Sequence, residues 1–259
     1  WQGQKAYDRV SQAADLDVAS SNSFDLDSSM VDWNALSAIN PDIVAWVYVP
    51  GTNINYPVVK GNDDSYYLTH DFEGSAGGIT NNGCIFLHYD NASDFSDTGN
   101  FIFGHHLNDG TMFSAISDEK SVAEHRTVYL LTPKGSWRLQ SVSLVHCSGS
   151  ESIVQTKFES DAAFTSYVAD KISRSIVECD PAAPDASAIS RFFMFSTCDS
   201  NTDARYVLCC VPVEYAAVNS SGTVPEGSAA NNTSNANNAN GGSGGISMVD
   251  PATAATIDD

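Results

Sequence analysis

Short runs of apolar and β-branched residues, separated by Gly, Pro, Asn and Asp, recur along most of the chain and predict β-strands. The predicted strands are Ile43–Val49, Ile54–Val59, Gly83–Tyr89, Phe101–Gly104, Thr127–Leu131, Trp137–Cys147, Arg191–Thr197 and Arg205–Val213. The tripeptide Pro133–Gly135 predicts a hairpin between the fifth and sixth strands. Eight short strands with few long helices predict a mostly β fold, namely a closed and mainly antiparallel barrel without exposed strand edges.

Two stretches space their apolar residues as helices do. The first follows Asp32, which is a suitable N-cap, and it ends at Asn40 because a residue before proline avoids the helical region. The second lies between the sixth and seventh strands, with Ser160 or Asp161 as its cap. Its apolar positions are Phe164, Tyr167, Val168, Ile172 and Ile176. The predicted barrel therefore carries an N-terminal helix and a second helix inserted before the seventh strand.

The two ends of the chain differ in composition from its middle. Residues 1–31 are polar, with an amphipathic pattern only from Tyr7 to Leu16, and predict a helical or frayed arm. Residues 216–259 are rich in Asn, Ser, Gly and Ala and contain no aromatic residue, which predicts a flexible low-complexity tail. The globular domain is therefore expected over residues 32–215.

The charge of the chain excludes one class of partner. The sequence contains 32 Asp and Glu against 12 Lys and Arg, a formal net charge of -20. Nucleic-acid affinity depends on Lys and Arg displacing counterions from phosphates, so we expect no nucleic-acid partner. The acidity fits an extracellular protein as well as a cytosolic one, so it leaves the compartment open.

The cysteines show neither a zinc motif nor a disulfide framework. They are Cys84, Cys147, Cys179, Cys198, Cys209 and Cys210. Most of them lie within apolar runs and are expected to be buried side chains. No metal site and no other cofactor is predicted.

Cys198 stands apart because it closes one apolar run, while Arg205 opens the next. Two adjacent strands joined by the intervening polar loop would bring the thiol and the guanidinium together at the mouth of the loop. A positive neighbour favours the thiolate, which is the nucleophilic form of cysteine.

A pair of histidines follows another predicted strand, in Gly104–His106. The two rings point apart on an alternating strand end, so only one can face Cys198, and the residues alone do not decide which. Cys, His and Arg at strand ends predict a cysteine-dependent acyltransferase.

In these motifs the chain resembles the sortases, and its details resemble those of class B. The resemblance rests on Ser196–Cys198 with Arg205 downstream, and on Gly104–His106 before Thr111–Phe113. Further blocks that fit in chain order are Asn40–Trp46, Asn53–Val59, Asp64–Phe72 and Gly83–Leu87. The resemblance extends from about Trp33 to Tyr215, and the helix before the Cys198 strand is also a class B feature.

The resemblance implies a sortase-type barrel and a cysteine transpeptidase. It implies that Cys198 is the nucleophile, that His105 is the acid and base because it directly follows the glycine, and that Arg205 stabilises the oxyanion. For the substrate groove it implies a set of five residues, with an aspartate where related enzymes can have asparagine. These are Leu68, Ser196, Ile153, Val154 and Asp64. Judged from the residues alone, Leu68, Ile153 and Val154 could equally belong to the core.

The resemblance also implies the partners. The substrate would be an x-Pro-x-Thr-x sorting signal of a surface protein, cleaved after Thr, and the acceptor would be an amine of peptidoglycan or of a pilin subunit. It implies a membrane anchor upstream of Trp1 and a location at the extracellular face of the membrane. The tail segment Asp250–Ala254 has the same x-Pro-x-Thr-x form, so it could enter its own or a neighbour's active site, or it could be a chance match.

Two alternatives stay open at this point. A cysteine peptidase would pass the acyl group to water instead of an amine, and a non-catalytic surface module would bind the peptide without forming a thioester.

Overall fold

A computed structural model of the chain describes Val10 and residues 30–75, 83–198 and 203–218. The predicted arm, apart from Val10 and the last two residues, and the tail from residue 219 onward lie outside the described residues, as does the segment Asp250–Ala254.

Eight strands form a closed barrel. They are β1 (Ile43–Tyr48), β2 (Asn55–Val59), β3 (Ile85–Leu87), β4 (Gly99–Phe103), β5 (Thr127–Thr132), β6 (Gly135–Ser148), β7 (Phe192–Cys198) and β8 (Ala204–Ala217). Their order around the barrel is β1-β2-β3-β4-β7-β8-β6-β5, and β5 closes it by pairing with β1. All pairs are antiparallel except β2 with β3 and β4 with β7. The predicted closed, mainly antiparallel barrel is confirmed.

The hairpin between β5 and β6 forms where it was predicted, with Thr132 paired to Gly135. The last strand is longer than the sequence pattern indicates. β8 pairs Ala216 with Ser136 and ends at Ala217, which lies two residues beyond the expected end of the domain at Tyr215. Backbone hydrogen bonds to β6 extend this strand, and such bonds do not require large side chains.

Four α-helices lie among the described residues: α1 (Trp33–Ile39), α2 (Tyr66–Thr69), α3 (Glu119–Glu124) and α4 (Asp161–Ser173). Asp32 caps α1 by accepting a hydrogen bond from the Ala35 amide at 2.9 Å, and Ser160 caps α4 in the same way. The predicted extension of α4 to Ile176 is wrong. The Ile176 amide donates instead to the Leu144 carbonyl of β6 at 2.8 Å, so the chain has already left the helix.

Two apolar cores bury both faces of β7. Phe193 and Phe195 pack with the barrel interior, whereas Phe192 and Met194 face outward into a second cluster that α4 covers with Phe164 and Val168. Burial on both faces fixes β7, and Cys198 is the last residue of that strand.

No helix within the described ranges is long and apolar enough to cross a membrane.

Candidate active site

The ends of three neighbouring strands bring the predicted catalytic residues together. β4 and β7 are parallel, with Phe103 paired to Ser196, so both strands end at the same edge. The Gly104 amide extends this ladder by donating to the Ser196 carbonyl at 3.0 Å. β8 is antiparallel to β7 and begins at this edge, with Arg205 directly opposite Cys198. The backbone thus places Cys198 between the strand that leads to His105 and the strand that carries Arg205.

Arg205 is half-buried and has a second cysteine opposite it on its other side, Cys147 of β6. Burial raises the pKa of the Cys147 thiol, and the positive charge of Arg205 offsets only part of this effect. Only 7% of Cys147 is exposed, within the core under α4. The thiol of Cys147 is therefore held neutral and covered, as expected for a structural cysteine.

The imidazole of His105 is oriented by α2. Its Nε2 lies 2.7 Å from the Leu68 carbonyl. A carbonyl only accepts hydrogen bonds, so Nε2 is the donor and carries a proton. In the neutral ring, Nδ1 is then the basic nitrogen that can take up and release a proton.

His106 makes different contacts. It forms an isolated bridge with Met112, and its Nδ1 lies 2.9 Å from the Ser117 hydroxyl. The turn at Ser114–Ser117 therefore engages this ring. Of the two rings, that of His105 is held by α2 and that of His106 by the turn.

Two glycines allow the close packing around His105. A Cβ on Gly104 would lie 2.4 Å from Cδ1 of Ile85 and 2.6 Å from the ring of Phe113. Gly83 has a φ of +59°, and a Cβ there would lie 2.5 Å from the Tyr67 carbonyl of α2. The glycine before His105 is thus required by packing as well as by the motif.

Sequence reasoning missed the residues that hold α2 in place. The Tyr67 hydroxyl donates to Asp42 at 2.7 Å and accepts from the Asn40 side chain at 3.1 Å. Burial, together with the Asp42 carboxylate, raises the pKa of Tyr67. These partners lie far apart in the sequence, so no local pattern indicates them.

Comparison with known proteins gives a consistent assignment. No protein-family model matches the chain. Sortase B of Staphylococcus aureus (strain NCTC 8325 / PS 47) is 28% identical over 182 residues, covering 68% of this chain and 72% of that protein. Sortase B of Listeria monocytogenes serovar 1/2a (strain ATCC BAA-679 / EGD-e) is 25% identical over 171 residues, covering 65% and 67%.

Solved structures agree with these relatives. The X-ray structure of Clostridium perfringens sortase B superposes with a TM-score of 0.63 at 27% identity, over 70% of this chain and 99% of that one. The Staphylococcus aureus sortase B–substrate complex gives a TM-score of 0.68 at 24% identity, over 82% and 96%. The chain belongs to the class B sortase family. It is a cysteine transpeptidase with the sortase barrel.

Within this sortase, the five predicted groove residues have different environments. Leu68 is 42% exposed beside His105. Ser196 is buried in β7, between Phe103 of β4 and Val207 of β8. Val154 is half-buried at the edge of the second core.

The structure corrects the expectation for the Ile153 side chain. Ile153 is 1% exposed and packs in the core beneath α4, while its carbonyl accepts a hydrogen bond from the Tyr167 hydroxyl at 2.6 Å. Its side chain therefore contributes to stability, and the neighbouring Val154 is the more exposed of the two residues.

Asp64 of the sortase is occupied by structural contacts. One carboxylate oxygen pairs with Nδ1 of His88, and the other accepts from the Tyr89 amide at 3.0 Å. Asp64 thus joins the turn before α2 to the end of β3, rather than pointing freely into a groove.

No group of three or more His, Cys, Asp or Glu in the described ranges is arranged to hold a metal ion.

Proposed function

We propose that this class B sortase cleaves an x-Pro-x-Thr-x sorting signal after the threonine and transfers the acyl group to an amine of the cell wall or of a pilin subunit. The observation that carries the proposal is the meeting of β4, β7 and β8 at one edge, with Cys198 opposite Arg205 and next to the strand that leads to His105.

In the proposed reaction, the Cys198 thiolate attacks the threonine carbonyl and forms a tetrahedral oxyanion. Arg205 stabilises that oxyanion, because a guanidinium is always charged and presents a rigid set of donors. When the carbon–nitrogen bond breaks, His105 gives its Nδ1 proton to the departing amine and a thioester remains on Cys198. The incoming amine loses a proton to His105, attacks the thioester and releases Cys198 as a new amide forms.

The electrostatics of three buried thiols argue against their acting as the nucleophile. Burial raises the pKa of Cys147, Cys209 and Cys210, and Cys209 reaches about 12. These thiols stay neutral at physiological pH. Cys198 instead ends its strand at the edge of the barrel and is paired with Arg205, and a positive neighbour favours a thiolate.

We propose that Leu68, Ser196 and Val154 contribute to the peptide groove, and that Ile153 supports Val154 from the core. Leu68 and Val154 offer apolar surface, which is typical of peptide pockets. One relative supports a substrate site in this family, because Staphylococcus aureus sortase B was solved as a substrate complex.

We propose that the enzyme acts at the extracellular face of the cell membrane, because this is where sorting signals and wall amines meet.

We further propose that the tail motif Asp250–Ala254 is a competing substrate of the same site. β8 ends at Ala217, so residues 218–249 separate the end of this strand from the motif. The distance along β8 from Arg205 to Ala217 is at most about 40 Å. A chain of about 30 residues can span at most roughly 100 Å, so its length allows the motif to reach the active-site edge.

Product analysis tests the proposal. The full chain would be incubated with a small x-Pro-x-Thr-x peptide library, with and without an amine acceptor, and the products separated by liquid chromatography. A new amide that depends on the acceptor supports transpeptidation and reveals the preferred motif. A free acid that is unaffected by the acceptor would indicate a peptidase. Peptide binding without any product would indicate a surface-binding module.

The tail proposal has a separate test. Deletion of residues 219–259 keeps β8 intact and is expected to lower the apparent KM for added peptide. Thr253→Ala in the full chain should have the same effect, because it removes the cleavage residue of the tail. Unchanged kinetics in both variants would contradict self-contact.

A further inference from the structure

The segment between β6 and α4, residues 149–157, connects the active-site edge to the outer face of the barrel. At one end the Gly149 amide donates to the Asp203 carbonyl at 2.9 Å, two residues before Arg205. At the other end the Thr156 carbonyl accepts from the Gly99 amide of β4 at 3.2 Å. Any shift of this connecting segment therefore acts on the start of β8.

An ion pair joins the connecting segment to α4. Arg174, the C-cap of α4, donates from Nη1 and Nη2 to the two carboxylate oxygens of Glu151 at 2.6 and 2.9 Å. This is the bidentate geometry that makes an Arg–carboxylate pair directional. Both side chains are about one-third exposed, with values of 33% and 34%, so the pair is accessible but not freely solvated.

The helix end that carries Arg174 is fixed to the barrel by other contacts. The Leu144 amide of β6 donates to the Ser175 hydroxyl at 3.1 Å, and the Ile176 amide donates to the Leu144 carbonyl at 2.8 Å. Arg174 thus holds Glu151 from a rigid point.

A second contact of α4 fixes the middle of the segment. The Tyr167 hydroxyl donates to the Ile153 carbonyl at 2.6 Å, one residue before Val154. The Nζ of Lys171 lies over the Tyr167 ring at 4.7 Å, and Lys171 pairs with Asp170 at 2.7 Å. The backbone around Val154 is therefore held by Tyr167 of the helix, and Lys171 packs on the ring of that tyrosine.

A partly exposed ion pair contributes little to the free energy of folding. The directional geometry of the Glu151–Arg174 pair therefore indicates that it positions the connecting segment. We propose that Glu151 and Arg174 are positioning residues, which hold the connecting segment 149–157 at the distance from β7 and β8 that peptide binding requires. The inference rests on the proposed function, since it assigns this segment as one wall of the peptide groove.

The test compares Glu151→Gln, Arg174→Lys and the exchange of both residues, Glu151→Arg with Arg174→Glu, in the full chain. The matched control is Arg138→Lys with Glu214→Gln, which weakens a similar ion pair of 2.7 Å that lies nearer the opposite ends of β6 and β8. The measurements are KM and kcat for peptide transpeptidation, and the rate at which iodoacetamide alkylates Cys198. Hydrogen exchange of the amides in residues 149–157 reports how firmly the segment is held.

We expect each single variant to raise KM about five- to tenfold, the size of a typical coupling between residues in contact, with kcat and Cys198 alkylation within about twofold of the parent. Hydrogen exchange of the amides in residues 149–157 should become faster in the same variants. The charge-swapped double variant should bring KM part of the way back to the parent value, and the control should change neither KM nor hydrogen exchange. Unchanged KM despite faster amide exchange would overturn the inference, as would an equal effect in the control. The parent is assayed in the same experiment. If the parent itself formed no peptide product, that result would contradict the proposed function rather than this inference.

Discussion

Arg205 of β8 is paired with Cys198 on β7 and with Cys147 on β6, so one guanidinium stands between two cysteines in neighbouring strands. The two cysteines differ in setting. Cys147 lies in the core beneath α4, whereas Cys198 ends its strand at the edge that β4 and β8 share. The charge of Arg205 is therefore expected to act on a neutral core thiol on one side and on the proposed nucleophile on the other.

Arg205 is expected to act mainly on the transition state. Arg205→Ala should lower kcat about 100- to 1,000-fold, the range seen when an oxyanion donor is removed. Arg205→Lys should retain part of the activity, because it keeps the charge but loses the rigid set of donors. Steady-state kinetics of peptide transpeptidation give kcat for both variants, with Arg138→Lys as the control. A rate for Arg205→Ala within threefold of the parent would remove Arg205 from the mechanism.

The two histidines are expected to respond differently. His105→Ala should lower kcat by a factor of about 100 to 10,000, because it removes the acid and base. His106→Ala loses a contact with Ser117 and should change stability by about 1 kcal/mol with kcat nearly unchanged. The comparison requires kcat and a urea-unfolding curve for each variant. The opposite pattern would assign the base to His106.

Gly104 is expected to be intolerant of a side chain. In Gly104→Ala the new methyl group would meet Ile85 and Phe113 and lower the free energy of unfolding by about 1–3 kcal/mol. It should also displace the neighbouring His105 and reduce kcat. Gly61→Ala is the control, because an added Cβ there comes no closer than 3.3 Å to its neighbours. The free energy of unfolding, from urea titration, and kcat are measured for both variants. Equal values in Gly104→Ala and Gly61→Ala would show that the end of β4 tolerates the added methyl group.

The buried Cys209 makes stability sensitive to alkaline pH. Burial raises its pKa from 9.0 to about 12, so the folded state favours the neutral thiol. This contribution to stability is complete below pH 9 and decreases as the pH rises toward 12, because the unfolded chain then loses its proton first. Urea unfolding between pH 7 and pH 10.5 should show a smaller decline above pH 9 for Cys209→Ala than for the parent. Parallel declines would mean that Cys209 does not contribute to the pH dependence.

The sequence predicted the barrel and the pairing of Cys198 with Arg205 because both depend on local signals. Strand runs and turn residues are local, and the pairing of Cys198 with Arg205 follows from two strands joined by one loop. The ending of α4 was not predictable in this way, because the hydrogen bond between Ile176 and Leu144 joins residues 32 positions apart. The helical pattern of the sequence continues through Ile176, but in the structure the Ile176 amide is hydrogen-bonded to β6.

Site details that depend on tertiary packing were also beyond the sequence. An apolar residue such as Ile153 fits a groove or a core equally well, and only its packing under α4 decides. The pairing of Asp64 with His88 spans 24 positions and leaves no periodic pattern. Because neighbouring residues of a strand alternate in direction, the sequence predicted that the rings of His105 and His106 point apart. Only the contacts with Leu68 and Ser117 show how each ring is held.

Intact-protein mass spectrometry of the acyl-enzyme tests the central claim most directly. The parent, Cys198→Ala and Cys147→Ala would each be mixed with a cleavable x-Pro-x-Thr-x peptide in the absence of an amine and then quenched in acid. We expect a mass increase equal to the acyl fragment in the parent and in Cys147→Ala, mapped to Cys198, and none in Cys198→Ala. An adduct that persists in Cys198→Ala, or that maps to another cysteine, would contradict the proposed role of Cys198.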